Sequence, residues 1–192
     1  MTAKSLFATV LAAGQSSRFG ATKQLAKFDG MPLVERAVRL AESVCGNRTL
    51  LVVGHNSQSI ASACQPLEGF IAINERYAEG IGTSIACAAR RIDKVADGLM
   101  ILLADQPLIT TAHLHDLIDE WTASPQSVVA SAYANTFGPP VIFPRAAFSV
   151  LATLRGDSGA RKVIEENNVS AKFVNFEPGA KDIDYPDDLA GS

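Results

Sequence analysis

Several things are scarce in this chain of 192 residues, and each scarcity removes a class of function. Cysteine occurs three times, at Cys45, Cys64 and Cys87, odd in number, widely separated and in no C-x-x-C spacing. That pattern argues against a disulfide framework or a zinc site and predicts buried or half-buried free thiols in a reducing, cytoplasmic compartment. Histidine also occurs three times. His113 and His115 stand two apart on an expected helix, so they face different directions and are expected at the surface. His55 follows a strand end and Gly54, on the rim where ligands are met. No apolar run is long enough to span a bilayer, and the run after Lys4 has only a strand's length, so neither a membrane span nor a signal peptide is expected. A net charge of −3 argues against charge-driven binding to nucleic acid or to an acidic membrane surface.

What is present is a core. With 47% hydrophobic and 19% charged residues, the chain reads as one globular domain over residues 1–192, with no linker-like shift in composition. Apolar, β-branched runs at Leu6–Leu11, Thr49–Val53, Gly69–Ile73, Leu99–Leu103, Ser127–Tyr133, Val141–Phe143 and Ala171–Phe176 predict strands. Between them lie helical patterns over about Pro32–Val44, Ser57–Cys64, Thr83–Arg91, Thr110–Trp121, Arg145–Leu154 and Ser158–Asn167. Strands interleaved with helices indicate an α/β fold, a Rossmann-like three-layer α/β/α arrangement on a mostly parallel sheet. Ligands in such folds sit beyond the carboxyl ends of the strands. The loops after Leu11, Ile73 and Leu103 are therefore the ones to inspect.

The first of these loops dominates. Val10 to Leu25 reads VLAAGQSSRFGATKQL: a strand end, then small and polar residues, then two cations, Arg18 and Lys23. Backbone N–H groups can approach an anion closely where no Cβ obstructs them, and cations neutralise what remains. Two common phosphate loops do not fit. A Walker loop needs Lys directly after its second glycine, but Gly20 is followed by Ala21; a dinucleotide fingerprint needs three spaced glycines, and Gly14 lacks its partners. The bland alternative is a turn with incidental cations.

Two carboxylate features could complete the site. Asp105, in LADQP, directly follows the most apolar strand and so lies on the same rim. It is either a hard oxygen ligand for Mg²⁺, which is commonly held by one or two carboxylates plus substrate phosphate, or a cap for the following turn. Near the end, Asp182 to Asp188 reads as a solvated acidic tail, except that Ile183 and Tyr185-Pro186 around Asp184 could anchor the segment and turn that carboxylate inward as a second ligand.

These three segments together, LAAGQSSRFGATKQL, LADQP and DIDYPDDL, resemble the nucleotidyltransferases that handle molybdopterin. Within the MobA-like NTP transferases, the molybdenum cofactor cytidylyltransferases match best and the guanylyltransferases next. Gly80-Ile81-Gly82-Thr83-Ser84, Gly138-Pro139-Pro140 and Gly156-Asp157-Ser158-Gly159-Ala160-Arg161 fit the same group in order, so the resemblance spans nearly the whole chain. Ala13 stands where the guanylyltransferases usually carry a second glycine. The resemblance implies a nucleotide-diphospho-sugar transferase-like fold and a Mg²⁺-dependent CTP:molybdopterin cytidylyltransferase that releases pyrophosphate. It implies that Leu11, Ala12, Ala13 and Gly14 cradle the nucleotide with Gly80, Gly82, Thr83 and Ser84 beside it. Arg18 and Lys23 would bind the triphosphate and act in catalysis with Asp105. Asp105 and Asp184 would hold the metal, and Gly138, Pro139, Asp157 and Arg161 would line the acceptor side, although Arg161 equally suits a helix salt bridge. The implied partners are an NTP, a phosphorylated acceptor, and a molybdenum enzyme or its chaperone as receiver. A guanylyltransferase, another NTP:phospho-acceptor transferase, or a non-catalytic cofactor carrier are the alternatives.

Overall fold

The computed structural model describes residues 4–16, 18–166 and 170–191; Ser17 of the first loop and Asn167 of the last expected helix lie outside them. Seven strands form one sheet in the order β5-β4-β1-β6-β8-β7-β9. They are β1 (Leu6–Ala12), β4 (Thr49–Val53), β5 (Phe70–Ile73), β6 (Gly98–Leu103), β7 (Val128–Tyr133), β8 (Thr136–Pro144) and β9 (Ala171–Asn175). A two-stranded hairpin, β2 (Lys27–Phe28) and β3 (Met31–Pro32), stands apart. Every strand pair of the large sheet is parallel except those made by β8, which runs antiparallel to both β6 and β7.

Strand residues alternate between two cores, as the period of two in a strand requires. Leu6, Ala8, Val10 and Ala12 face one side with α1 (Leu33–Cys45), α2 (Ser57–Ala63) and α4 (Thr111–Ala123). Phe7, Leu11 and Ala13 face the other with α3 (Ile81–Ile92), α5 (Phe148–Leu151) and α6 (Ala160–Glu166). The result is the expected three-layer α/β/α fold. Among the described residues no helix is long and apolar enough to cross a membrane. All three cysteines are free, Cys45 and Cys64 buried and Cys87 half-buried, as expected.

Two expectations need correction. The strand expected over Val141–Phe143 is nine residues long and begins at Thr136, joined to β7 through Ala134 and Asn135, both at positive φ. Its register against β7 shifts between Ala130 and Ser131, so Pro139 and Pro140 form a bulge between the paired Gly138 and Val141. Prolines cannot donate to a ladder, and the bulge accommodates them. His113, expected at the surface, is 2% exposed. Its ring stacks on Phe176 with centroids 4.1 Å apart, and Nε2 lies 2.7 Å from Ser131 Oγ. Ser131 donates to Pro140 O at 2.8 Å, so its oxygen accepts from His113 and the imidazole carries its proton on Nε2. The helical period was correct, but β7 and Phe176 cover a face of α4 that the sequence pattern left open. Thr110 caps that helix, its side chain accepting from His113 N.

Candidate active site

Leaving β1, the chain turns over the carboxyl ends of β1 and β6 and makes a loop held together from inside. Gln24, 5% exposed, is the brace: its Nε2 donates to Gly14 O at 3.0 Å and its Oε1 accepts from Ser16 Oγ at 3.1 Å. Ser16 in turn accepts from Lys23 N at 3.2 Å. The loop is thus closed across ten residues before any ligand arrives. A Cβ added at Gly14 would meet nothing nearer than Gln24 Nε2 at 3.8 Å, so this glycine leaves the backbone open toward the cavity rather than relieving a clash. The buried polar residue beside Lys23 is a signal that the sequence carried and that a search for cations passed over.

The loop forms one wall of a cavity of about 390 Å³. Leu11, Ala13 and Gly14 line it with Arg18 and Lys23, while Ala12 is turned into the core on the other face of the sheet. Asp105 and Asp184 line the side next to β6. Ile183 explains how the second carboxylate is delivered: it is fully buried against Phe28 and Leu33, and its N–H donates to Asp105 O at 2.9 Å. The segment is therefore pinned on both sides of Asp184, whose own N–H is held by Asp188 Oδ2 at 2.8 Å.

Charges converge here. Lys23 Nζ stands 2.8 Å from Asp105 Oδ2 and 2.9 Å from Asp184 Oδ1, with Arg18 Nη1 3.7 Å from Asp184 Oδ2. Lys23 is 15% exposed, and burial alone would lower its pKa; Asp105 and then Asp184 more than offset that and hold it above its ordinary value. Asp182 is exposed as a residue, yet its acid is pushed up to about 6, first by withdrawal of the carboxyl from water and then by the charge of Asp105, with Asp184 adding to it. Asp105 Oδ1 is buried with no hydrogen-bond partner. An orphaned carboxylate oxygen beside a second carboxylate is an arrangement that suits a hard divalent cation. Among the described residues no three His, Cys, Asp or Glu cluster to form an all-protein cage, so these two carboxylates would share the ion with substrate and water.

The far wall comes from the loop after β5. Gly80 and Ser84 line the cavity with Tyr77 and Ile81. Gly80, at φ +112°, packs so tightly on Gly156 that an added Cβ would lie 2.4 Å from its carbonyl carbon and 2.6 Å from Asp157 Oδ1. Gly82 N donates to Gly156 O at 2.9 Å. Gly82 and Thr83 lie behind the wall rather than on it; Thr83 Oγ1 donates to the carbonyls of Arg76 and Gly80. Asp157 is thereby brought to the edge of the Gly80–Ser84 loop. The other acceptor candidates are not gathered with it. Gly138 sits against the Tyr133 hydroxyl, which donates to Pro139 O at 3.1 Å, and Arg161 pairs with Glu165 at 2.8 Å while lying over the Phe137 ring. His55 is exposed near Tyr77, and its N–H donates to Ala13 O at 3.2 Å.

Residues 8–171 match the MobA-like NTP transferase domain. The chain belongs to this family. As a MobA-like NTP transferase it is a nucleotidyltransferase acting on a nucleoside triphosphate. The purine catabolism protein PucB of Bacillus subtilis is 28% identical over 177 residues, covering 88% of this chain and 85% of PucB. The bifunctional protein GlmU of Shouchella clausii is 27% identical over 168 residues, 85% of this chain but only 34% of GlmU. Among solved structures, Rv0371c of Mycobacterium tuberculosis aligns with a TM-score of 0.86 at 27% identity, covering 99% of this chain and 97% of that one. The molybdopterin-guanine dinucleotide biosynthesis protein A of Archaeoglobus fulgidus aligns with a TM-score of 0.68 at 16% identity over 95% and 94%, a likeness of fold.

Proposed function

We propose that this MobA-like NTP transferase is a Mg²⁺-dependent CTP:molybdopterin cytidylyltransferase. An oxygen of the acceptor's phosphate attacks the α-phosphorus of CTP, the bond to the β-phosphate breaks, and pyrophosphate leaves. The observation that carries the reading is the meeting of Asp105 and Asp184, 79 positions apart in the chain, within 3 Å of one Lys23 ammonium at the mouth of the cavity. The charges of Arg18, Lys23 and the two aspartates cancel, so a divalent ion held by the carboxylates would leave the site positive toward a triphosphate. Such an ion polarises the α-phosphate and steadies the leaving pyrophosphate. Arg18 and Lys23 share the charge that develops, and the Gly14 loop and the Gly80–Ser84 wall hold the nucleotide in line. No histidine or thiol lines the cavity among the described residues, which suits a phosphate nucleophile that is already ionised and needs no base. The acceptor comes from the side of Asp157, with Gly138, Pro139 and Arg161 beyond it. The choice of CTP over GTP rests on the resemblance, in which Ala13 stands where the guanylyltransferases usually carry a second glycine.

The test is a panel of the four NTPs with Mg²⁺ and molybdenum-loaded molybdopterin, read by pyrophosphate release. Release with CTP is expected. Release with GTP only moves the protein to the guanylyltransferases, and release with a sugar 1-phosphate in place of the pterin overturns the acceptor.

A further inference from the structure

Behind the Gly80–Ser84 wall lies a buried polar cluster. Its centre is Asn74, the first residue after β5, 5% exposed; Thr83 and Ser84 on α3 are 5% and 4% exposed. Asn74 Oδ1 accepts from Arg76 N at 3.0 Å. A backbone N–H can only donate, so this bond fixes which way the amide points. Asn74 Nδ2 therefore donates, to Thr83 Oγ1 at 2.8 Å and to Ser84 Oγ at 3.0 Å.

Each hydroxyl, having accepted from Asn74, still has one hydrogen to give. That of Thr83 is spent on the carbonyls of Arg76 and Gly80, both at 2.9 Å. Ser84 lines the cavity. Its hydrogen cannot point back at Asn74, which offers it only N–H, and no protein acceptor takes it among the described residues, which leaves it available to a ligand in the cavity. The wall after β5 lies on the opposite side of the β1 loop from Asp105 and Asp184, because β5 and β6 flank β4 and β1 in the sheet. The part of a nucleotide farthest from its phosphates is its base.

We propose that Asn74 is a positioning residue for base selection: its amide locks Ser84 as a hydrogen-bond donor to a carbonyl acceptor on the base. The inference rests on the nucleotide occupying this cavity, as the proposed function has it. A site that presents a fixed donor discriminates against bases that present a donor there, because one buried group is then left unpaired.

Isothermal titration with each NTP and Mg²⁺, without acceptor so that no transfer occurs, tests it. Ser84→Ala is expected to weaken the preferred NTP about tenfold, the scale of one hydrogen bond. Asn74→Asp keeps the shape but makes the group accept from both hydroxyls, turning the Ser84 hydrogen away; at pH 8 it is expected to weaken binding by a similar factor and to shrink the preference among the four bases. The double variant is expected to lose no more than Ser84→Ala alone, since both changes remove the same donor. Asn74→Ala, which leaves Ser84 unheld without reversing the bond, is expected to weaken binding about threefold and serves if the aspartate variant does not fold. Losses that multiply in the double variant, or unchanged affinity in the Ser84 variant or in the folded Asn74 variants, overturn the inference. A Ser84→Ala loss that disappears with the 2′-deoxy form of the same NTP shows that the ribose is read and overturns it as well. Failure of the wild-type protein to bind any NTP overturns the functional reading itself and this inference with it.

Discussion

Two regions of the molecule, the cavity wall at β1 and β6 and the packed half at β7, β8 and α6, are built in opposite ways. On the side of β1 and β6, side chains are held firmly by their neighbours yet keep bonding capacity in reserve. Asp105 Oδ1 is buried without a partner, Gly14 puts no side chain between its backbone and the cavity, and Asp184 is 46% exposed although its backbone is fastened at Ile183 and Asp188. Around β7, β8 and α6, the side chains expected to meet the acceptor are paired within the fold, although His113 Nδ1 and Thr136 Oγ1 are buried without a partner. The Tyr133 hydroxyl serves Pro139, Arg161 serves Glu165 and covers Phe137, and His113 and Ser131 serve Pro140. Unspent hydrogen-bonding and charge capacity, kept in place by a rigid frame, marks where a ligand is to be met. Side chains paired with neighbouring protein groups and turned away from the cavity mark where the fold is being held.

The sharpest way to break this contrast is Asp105→Asn, which preserves shape and removes the charge. Turnover is expected to fall by a factor of order 10²–10³, the usual loss for one group that stabilises charge in a transition state. Pyrophosphate release measures it, and near wild-type turnover would remove Asp105 from the chemistry. Lys23→Met takes away the ammonium that both carboxylates share. Activity is expected to drop about 10–100-fold, with a raised NTP requirement, because two aspartates then face the triphosphate with one cation fewer; unchanged kinetics would make the lysine a mere strut.

On the other side the expected effects are on folding. Burial lowers the His113 pKa below its ordinary 6.5. Above that value the ring is neutral in both folded and unfolded chains, and its contribution to stability is complete. As the pH falls below it, the unfolded chain takes up a proton that the folded one resists, so stability declines. Urea unfolding at pH 7 and pH 5 should show this loss, and His113→Phe should reduce the difference. Tyr133→Phe removes the bond to Pro139 and is expected to lower stability by about 1 kcal/mol with activity per folded molecule retained.

Arg161→Ala should matter least for stability. Its exposed pair with Glu165 is worth roughly 0.3–0.5 kcal/mol, within reach of a careful denaturation series. The same variant sharpens the comparison kinetically: a raised acceptor KM would place Arg161 on the ligand's path in spite of its pairing, while an unchanged KM would assign it to the helix alone.

Most of the fold was legible because it depends on local patterns. The alternation of apolar strands with helices, the Thr110 cap and the carboxyl-end position of Asp105 all follow from the period of the residues and the grammar of helix ends. Asp184 was legible separately, through the anchoring pattern of Ile183 and Tyr185-Pro186, while Asn74, one residue past β5, lies on a rim loop where the Gly80–Ser84 pattern alone stood out. What resisted reading was non-local. The strand at Val141–Phe143 looks three residues long until β7 supplies the partner that extends it to Thr136 and bulges at Pro139-Pro140, and His113 looks exposed until Phe176 and Ser131 cover it.

By itself, then, the sequence determined which residues are chemically able to act and on which end of which strand each lies, because those properties belong to the residue and its near neighbours. Only the tertiary structure decided that Lys23 meets both carboxylates at once, that Gln24 closes the loop, and that Asn74 donates to Ser84 and leaves the hydroxyl's hydrogen available. Those facts depend on distances between segments up to 161 positions apart and on the direction of individual hydrogen bonds. Neither is written in any stretch of chain taken alone.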